Sequence, residues 1–156
     1  MTPEEIQVRS GYLFLTCSDA IETAKQRLVP LVTAFPSPPA PRWERALARE
    51  LTLLFRYWAT REIWERLESD EAGAKGLNLA LLRRFTDDDK LHQDGSGLRY
   101  AELSTIDAEA RELNRRMASA LGVNPQWLAD ALQGAITGWR ETVAGRTREA
   151  LEVPVQ

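Results

Sequence analysis

The chain has 156 residues, 44% of them apolar, and a formal net charge of −3. That length supports one hydrophobic core, and the slight acidity excludes the strongly basic footprint of a non-specific nucleic-acid binder. Cys17 is the only cysteine, which excludes an intramolecular disulfide and a Cys-rich metal site within these residues.

The opening residues, MTPEEIQV, do not combine a basic region with an apolar run, so no signal peptide is expected. No stretch of about 18 apolar residues occurs, and no transmembrane helix is expected. A lone cysteine suits a reducing compartment, and a cytoplasmic location is the resulting expectation. Lysine is confined to Lys25, Lys75 and Lys90 while arginine is abundant. That bias reflects a GC-rich genome more than a function.

Thr2-Pro3-Glu4-Glu5 is a helix start: Thr2 caps, Pro3 suits the first helical position, and Glu5 closes a capping box. The predicted helix runs to about Thr33, with a seam of Ile6, Leu13, Cys17, Ala20, Ala24, Leu28 and Leu31. Gly11 weakens it, and Pro30 should kink or stop it. Cys17 lies on the seam and reads as packing, because a reactive thiol needs a basic neighbour and exposure. Pro36, Pro38, Pro39 and Pro41 then impose a stiff, extended connector between two long antiparallel helices.

Residues 42–68 read as the stretch around which the rest of the chain is arranged. On a wheel of about 100° per residue, Trp43, Leu47, Leu51, Leu54 and Trp58 share one side, widened by Ala48, Phe55 and Ala59. Ala46, Leu53 and Tyr57 add a second apolar flank. The remaining narrow strip, Arg45, Arg49, Thr52 and Arg56, reads as a solvated face, with anion or acidic-partner binding as its sharper alternative. A helix apolar over so much of its girth belongs among several neighbours. Past Thr60 the pattern changes face: Ile63, Trp64 and Leu67 occupy the strip's side, and Arg61, Glu62, Glu65 and Arg66 the formerly apolar one. With no breaker present, the last two turns are expected to pack on a different partner, another subunit being one candidate. Ile63, Trp64 and Leu67 are therefore the expected interaction patch.

Residues 69–76 read as a polar connection containing Gly73 and Gly76, followed by a short buried helix from Leu77 to Phe85. Residues 86–97, TDDDKLHQDGSG, read as a polar loop. Asp87, Asp88, Asp89, His92 and Asp94 are oxygen and imidazole donors of the kind that hold a divalent cation. Their spacing does not match a helix–loop–helix calcium site, and one histidine gives no second imidazole for zinc. A solvated loop is the expectation, with no metal and no cofactor. Leu98 to Leu103 is either extended or a single turn.

Ser104-Thr105-Ile106-Asp107 is a capping signature for a helix to Leu121, with Ile106, Ala110, Leu113, Met117 and Leu121 on one face and Gly122 as its stop. Asn124-Pro125 starts a last helix whose seam is Leu128, Leu132, Ala135, Ile136, Trp139 and Val143. Gly134 and Gly138, one turn apart, are expected to admit a neighbouring backbone. The helix is expected to fray between Gly145 and Leu151. Taken together, the elements predict an all-α compact bundle of about five helices, a single domain over residues 1–152 with a short tail at 153–156.

Residues 114–133, NRRMASALGVNPQWLADALQ, place Ala118 four before Gly122 and Leu128 six after it, with Met117, Leu121 and Val123 at the accompanying core positions. This pattern resembles the helix-turn-helix unit of phage-repressor-type regulators. The resemblance implies a second helix that reads DNA, with Gln126 and Trp127 on it and Arg115 and Arg116 helping from the first. Against it, that helix carries no Arg or Lys before Arg140, and base and phosphate contacts lean on those residues. A structural helix pair uses the same small residues for steric reasons.

No nucleophile–base arrangement and no glycine-rich phosphate loop is legible. The expected function is a small helical protein-interaction module, an adaptor or accessory subunit that self-associates or binds a protein partner without catalytic chemistry. A DNA-binding regulator using residues 114–133 is the alternative.

Overall fold

A computed structural model of the chain describes residues 1–36, 38–85, 98–122 and 126–154, with backbone only at 98, 99, 126 and 127. The helices are α1 (Pro3–Thr33), α2 (Trp43–Arg66), α3 (Glu71–Arg84), the single turn α4 (Leu98–Ala101), α5 (Ile106–Leu121) and α6 (Gln126–Glu152). Among the described residues there is no strand, and no helix is long and apolar enough to cross a membrane.

The ends of α1 follow from its sequence. Thr2 is extended and its hydroxyl accepts from the Glu5 amide, while Pro3 occupies the first turn. Pro30 does not stop the helix at once; it runs on to Thr33, and the Ala34 amide donates back to the Pro30 carbonyl. The proline-rich connector is tied down at its far end, where the Ala40 amide donates to the Leu121 carbonyl at 2.8 Å. Arg42 then enters α2 with φ 62°, a left-handed conformation rare for a residue with a side chain.

Cross-helix contacts fix the direction of each element. Ile6, Ser10 and Phe14 of α1 meet Gly76, Arg84 and Phe85 in turn, so α3 lies parallel to α1. Arg9 of α1 donates to the Ala150 and Leu151 carbonyls, and Asp19 pairs with Arg146, so α6 runs antiparallel to α1. Phe55 and Glu62 of α2 meet Trp139 and Arg148, which sets α2 parallel to α6 and antiparallel to α1. Glu50 and Trp58 of α2 meet Arg116 and Glu109, so α5 opposes α2. Thus α1, α3 and α5 run against α2 and α6 runs with it, and α2 packs against α1, α3, α4, α5 and α6.

The core follows from that centrality. Leu47, Leu51, Leu53, Leu54, Phe55, Ala59 and Ile63 of α2 are all closed to solvent, and so are Leu13, Ala24 and Leu28 of α1. Leu113, Met117 and Leu121 of α5 join Leu128 and Leu132 of α6 on the same core. The face change past Thr60 is therefore absorbed inside the chain at Ile63 and in part at Leu67, while Trp64 stays exposed. α2 stays one continuous helix, and Ile63 belongs to the common core.

Three expectations about local structure are corrected. The connection after α2 is shorter than the glycines suggest, because α3 already starts at Glu71 and contains both of them. Asp70 caps α3 by accepting from the Gly73 amide at 2.9 Å, and a Cβ on Gly73 would lie 2.2 Å from that carboxylate. At Gly76 a Cβ would lie 3.0 Å from Ile6, so this glycine lets α1 approach. Conversely, Gly134 and Gly138 admit no backbone. Both are exposed, and a Cβ on either meets nothing within 4 Å. Nor does α6 end early: it continues to Glu152, with Thr147 and Ala150 buried and Arg9 satisfying the last carbonyls.

The glycines therefore carry opposite expectations for substitution. Gly122 ends α5 at φ 69°, where its amide donates to the Ala118 carbonyl. Gly122→Ala should lower unfolding free energy by about 1 kcal/mol through left-handed strain. Gly134→Ala and Gly138→Ala should each raise it by roughly 0.5–1 kcal/mol, the helix-propensity gain at an open position. Urea unfolding of the three variants checks both signs.

Candidate functional site

Two features of the bundle stand apart from ordinary core packing: a polar cluster enclosed between α2, α4, α5 and α6, and an apolar stripe left open on α1.

The cluster is built on α5. Glu109 and Glu112 sit one turn apart on its inward side and are both buried, and Glu50 of α2 is buried opposite them. Charges so placed need partners. The Trp58 indole N–H donates to Glu109 Oε2 at 2.7 Å, and Phe55 stacks on the Trp58 ring with centroids 5.1 Å apart. Glu109 Oε1 is sealed from solvent and lies 3.5 Å from Arg140 Nη1, a Coulombic contact beyond hydrogen-bond length. Arg116 Nε donates to Glu50 Oε2 at 2.6 Å across the α2–α5 interface. Arg115 forks onto both oxygens of Glu112, at 3.1 and 2.6 Å.

Tyr100, on the single turn α4, closes this cluster. Its ring is fully buried, and the Arg116 guanidinium carbon lies 6.0 Å from the ring centroid. Burial, and then the charge of Glu50, push its hydroxyl well above the usual phenol range. The hydroxyl is sealed and has no hydrogen-bond partner. Burying the ring contributes on the order of 2–3 kcal/mol. Leaving the hydroxyl unpaired costs about 1–3 kcal/mol. The two effects are of similar size.

A small open recess of about 50 Å³ lies outside the cluster, lined by Trp58, Arg61, Glu62, Glu65, Arg140 and Ala144. Its charges are mutually compensated: Arg61 meets Glu65 at 3.4 Å, and Glu62 meets Arg66 and Arg148 at 3.2 and 3.3 Å.

The stripe is on α1. Val8, Tyr12 and Leu15 follow i, i+4, i+7 spacing and are 41%, 44% and 64% exposed. Such spacing places them on one face, away from Leu13, Cys17 and Ala24, which face the core.

The patch expected from the sequence divides. Ile63 is enclosed, Leu67 is half-buried against the core, and Trp64 alone is open, at 40%. The arginine strip divides too: Arg45 is exposed, whereas Arg49 and Arg56 are half-buried, and desolvation lowers the pKa of Arg56. Of the residues implied by the helix-turn-helix resemblance, Ala118 is half-buried and Met117, Leu121 and Leu128 are buried. Arg116 is turned inward onto Glu50, and Arg115 is held by Glu112. Val123, Asn124, Pro125 and the side chains of Gln126 and Trp127 lie outside the described residues, as does the acidic loop at 86–97. Among the described residues, no group of three His, Cys, Asp or Glu side chains converges to hold a metal.

Sequence reasoning missed the buried glutamates and Tyr100. The signal existed for Glu109, which sits at i−4 and i−8 to Leu113 and Met117 inside the apolar arc. Cys17 is buried as expected, and desolvation raises its thiol to about 12. Comparison with protein-family models, curated proteins and solved structures returns no match to this chain.

Two outcomes follow for this part of the molecule. Arg116→Met strands the Glu50 charge and should cost about 3 kcal/mol in urea unfolding, whereas the Glu50→Met/Arg116→Met pair should return to within about 1 kcal/mol of the parent. Ellman's reagent should modify Cys17 only as fast as the protein unfolds, because the thiol is both enclosed and protonated at neutral pH.

Proposed function

We propose that the protein is a helical interaction module that docks a helix of a protein partner on the outer face of α1. The observation that carries this reading is the stripe Val8, Tyr12 and Leu15, three large apolar side chains left in solvent at helical spacing on a helix whose opposite face is fully enclosed. A neighbouring helix with apolar residues at matching spacing covers such a stripe by ridge-into-groove packing. Trp64 is a second exposed aromatic, and aromatics are enriched where interfaces concentrate binding energy. Of the two arginines the DNA-reading alternative draws on, Arg116 is turned inward onto Glu50, while Arg115 stays largely exposed beside Glu112.

The test places a photo-crosslinking residue at position 15 of the full chain and irradiates it in an extract of the native host. The expected result is one discrete adduct, suppressed by excess unmodified protein but not by a Tyr12→Glu/Leu15→Glu competitor of unchanged circular dichroism. An adduct of twice the chain mass identifies the partner as a second copy. Absence of any competable adduct, with a monomeric mass in sedimentation, contradicts the reading.

A further inference from the structure

We infer that α4 is a releasable strap: Tyr100 docks over the Glu50–Arg116 pair and leaves it again without unfolding of the bundle. Three observations carry this. First, α4 is four residues long, too short to hold its own helical turn. Among the described residues its buried anchors are the Tyr100 ring and half-buried Leu103, whose amide donates to the Tyr100 carbonyl at 3.1 Å. Second, the Tyr100 hydroxyl is buried with no partner, so docking gains the ring's burial but loses the hydroxyl's hydration. Third, the surface beneath is not purely apolar: beside its core contacts the ring faces Arg116 and Glu50, 2.6 Å apart, with Glu112 and Glu109 close enough to act on the phenol. Undocking returns the hydroxyl to water and uncovers a matched ion pair that water solvates well. A strap held by apolar contact alone to an apolar floor has no such compensation. The undocked state presents Arg116 and Glu50, on α5 and α2, as a charged face that the docked state covers.

Chymotrypsin reads this directly, because it cuts after Tyr or Phe and position 100 must leave the core to enter the protease. The folded, full-length protein is expected to be cut at the 100–101 bond while its far-UV circular dichroism stays native, and faster than its global unfolding allows. Tyr100→Phe keeps the ring and the cleavage site but removes the unpaired hydroxyl. After correction with matched synthetic peptides for intrinsic Tyr and Phe preference, its cut at 100–101 should be about tenfold slower, a factor equivalent to about 1.4 kcal/mol. Cleavage at 100–101 that only keeps pace with global unfolding overturns the proposal. So does an equal or faster cut in Tyr100→Phe, which would mean that the hydroxyl holds the strap down.

Discussion

Burial of the Leu, Phe, Trp and Ile side chains of α2 between Leu47 and Ile63 is the constraint from which the remaining structure follows. A helix carrying Leu, Phe, Trp and Ile around most of its girth has little face to offer water, so its apolar sides need several neighbours. α1, α3, α5 and α6 supply those neighbours, three of them running against α2 and α6 running with it. The proline-rich connector serves the same end: by bonding Ala40 to the last carbonyl of α5 it joins the entrance of α2 to the end of a helix far along the chain.

A central helix of ordinary sequence also carries polar residues into the interior, and their satisfaction shapes the second half of the chain. Glu50 lies among Leu47, Leu51 and Leu54, and Arg116 on α5 neutralises it. Trp58 has an N–H that cannot be left bare in the core, and Glu109 accepts it. Arg140 of α6 then stands near Glu109. These pairs contribute little net stability over apolar residues of equal size. Their effect is to fix the register of α5 and α6 on α2, because a one-turn slip of either helix would strand several charges at once. The Tyr100 hydroxyl, like Glu109 Oε1, is enclosed with no hydrogen-bond partner, and it sits on the shortest helix of the described set.

Much of the architecture was legible. The ends of α1 and the start of α5 follow from Thr2-Pro3 and Thr105, whose hydroxyls accept the expected amide hydrogens. The all-α bundle follows from periodicity. The misreadings share a physical origin: helical spacing tells which residues lie together on one helix and is silent about what stands opposite. Gly73 and Gly76 resemble breakers until the Asp70 cap and the approach of Ile6 are seen. Gly134 and Gly138 resemble a close-packing pair but face solvent. Ile63 looked like an outward patch because its side of α2 was polar two turns earlier; with several neighbours around α2, the change of face takes Ile63 into the core and leaves Trp64 open. The candidate contact face was equally hidden, since Val8, Tyr12 and Leu15 form a second apolar arc on α1 and sequence alone does not say which arc the core takes.

Native-state hydrogen exchange along α2 tests the central claim most directly. If α2 is the enclosed axis of the bundle, the amides from Leu51 to Ala59 exchange only through global unfolding, with a free energy equal to that from urea denaturation and a full dependence on denaturant. Exchange of that segment through a smaller, denaturant-insensitive opening, while α1 and α6 stay protected, would contradict it.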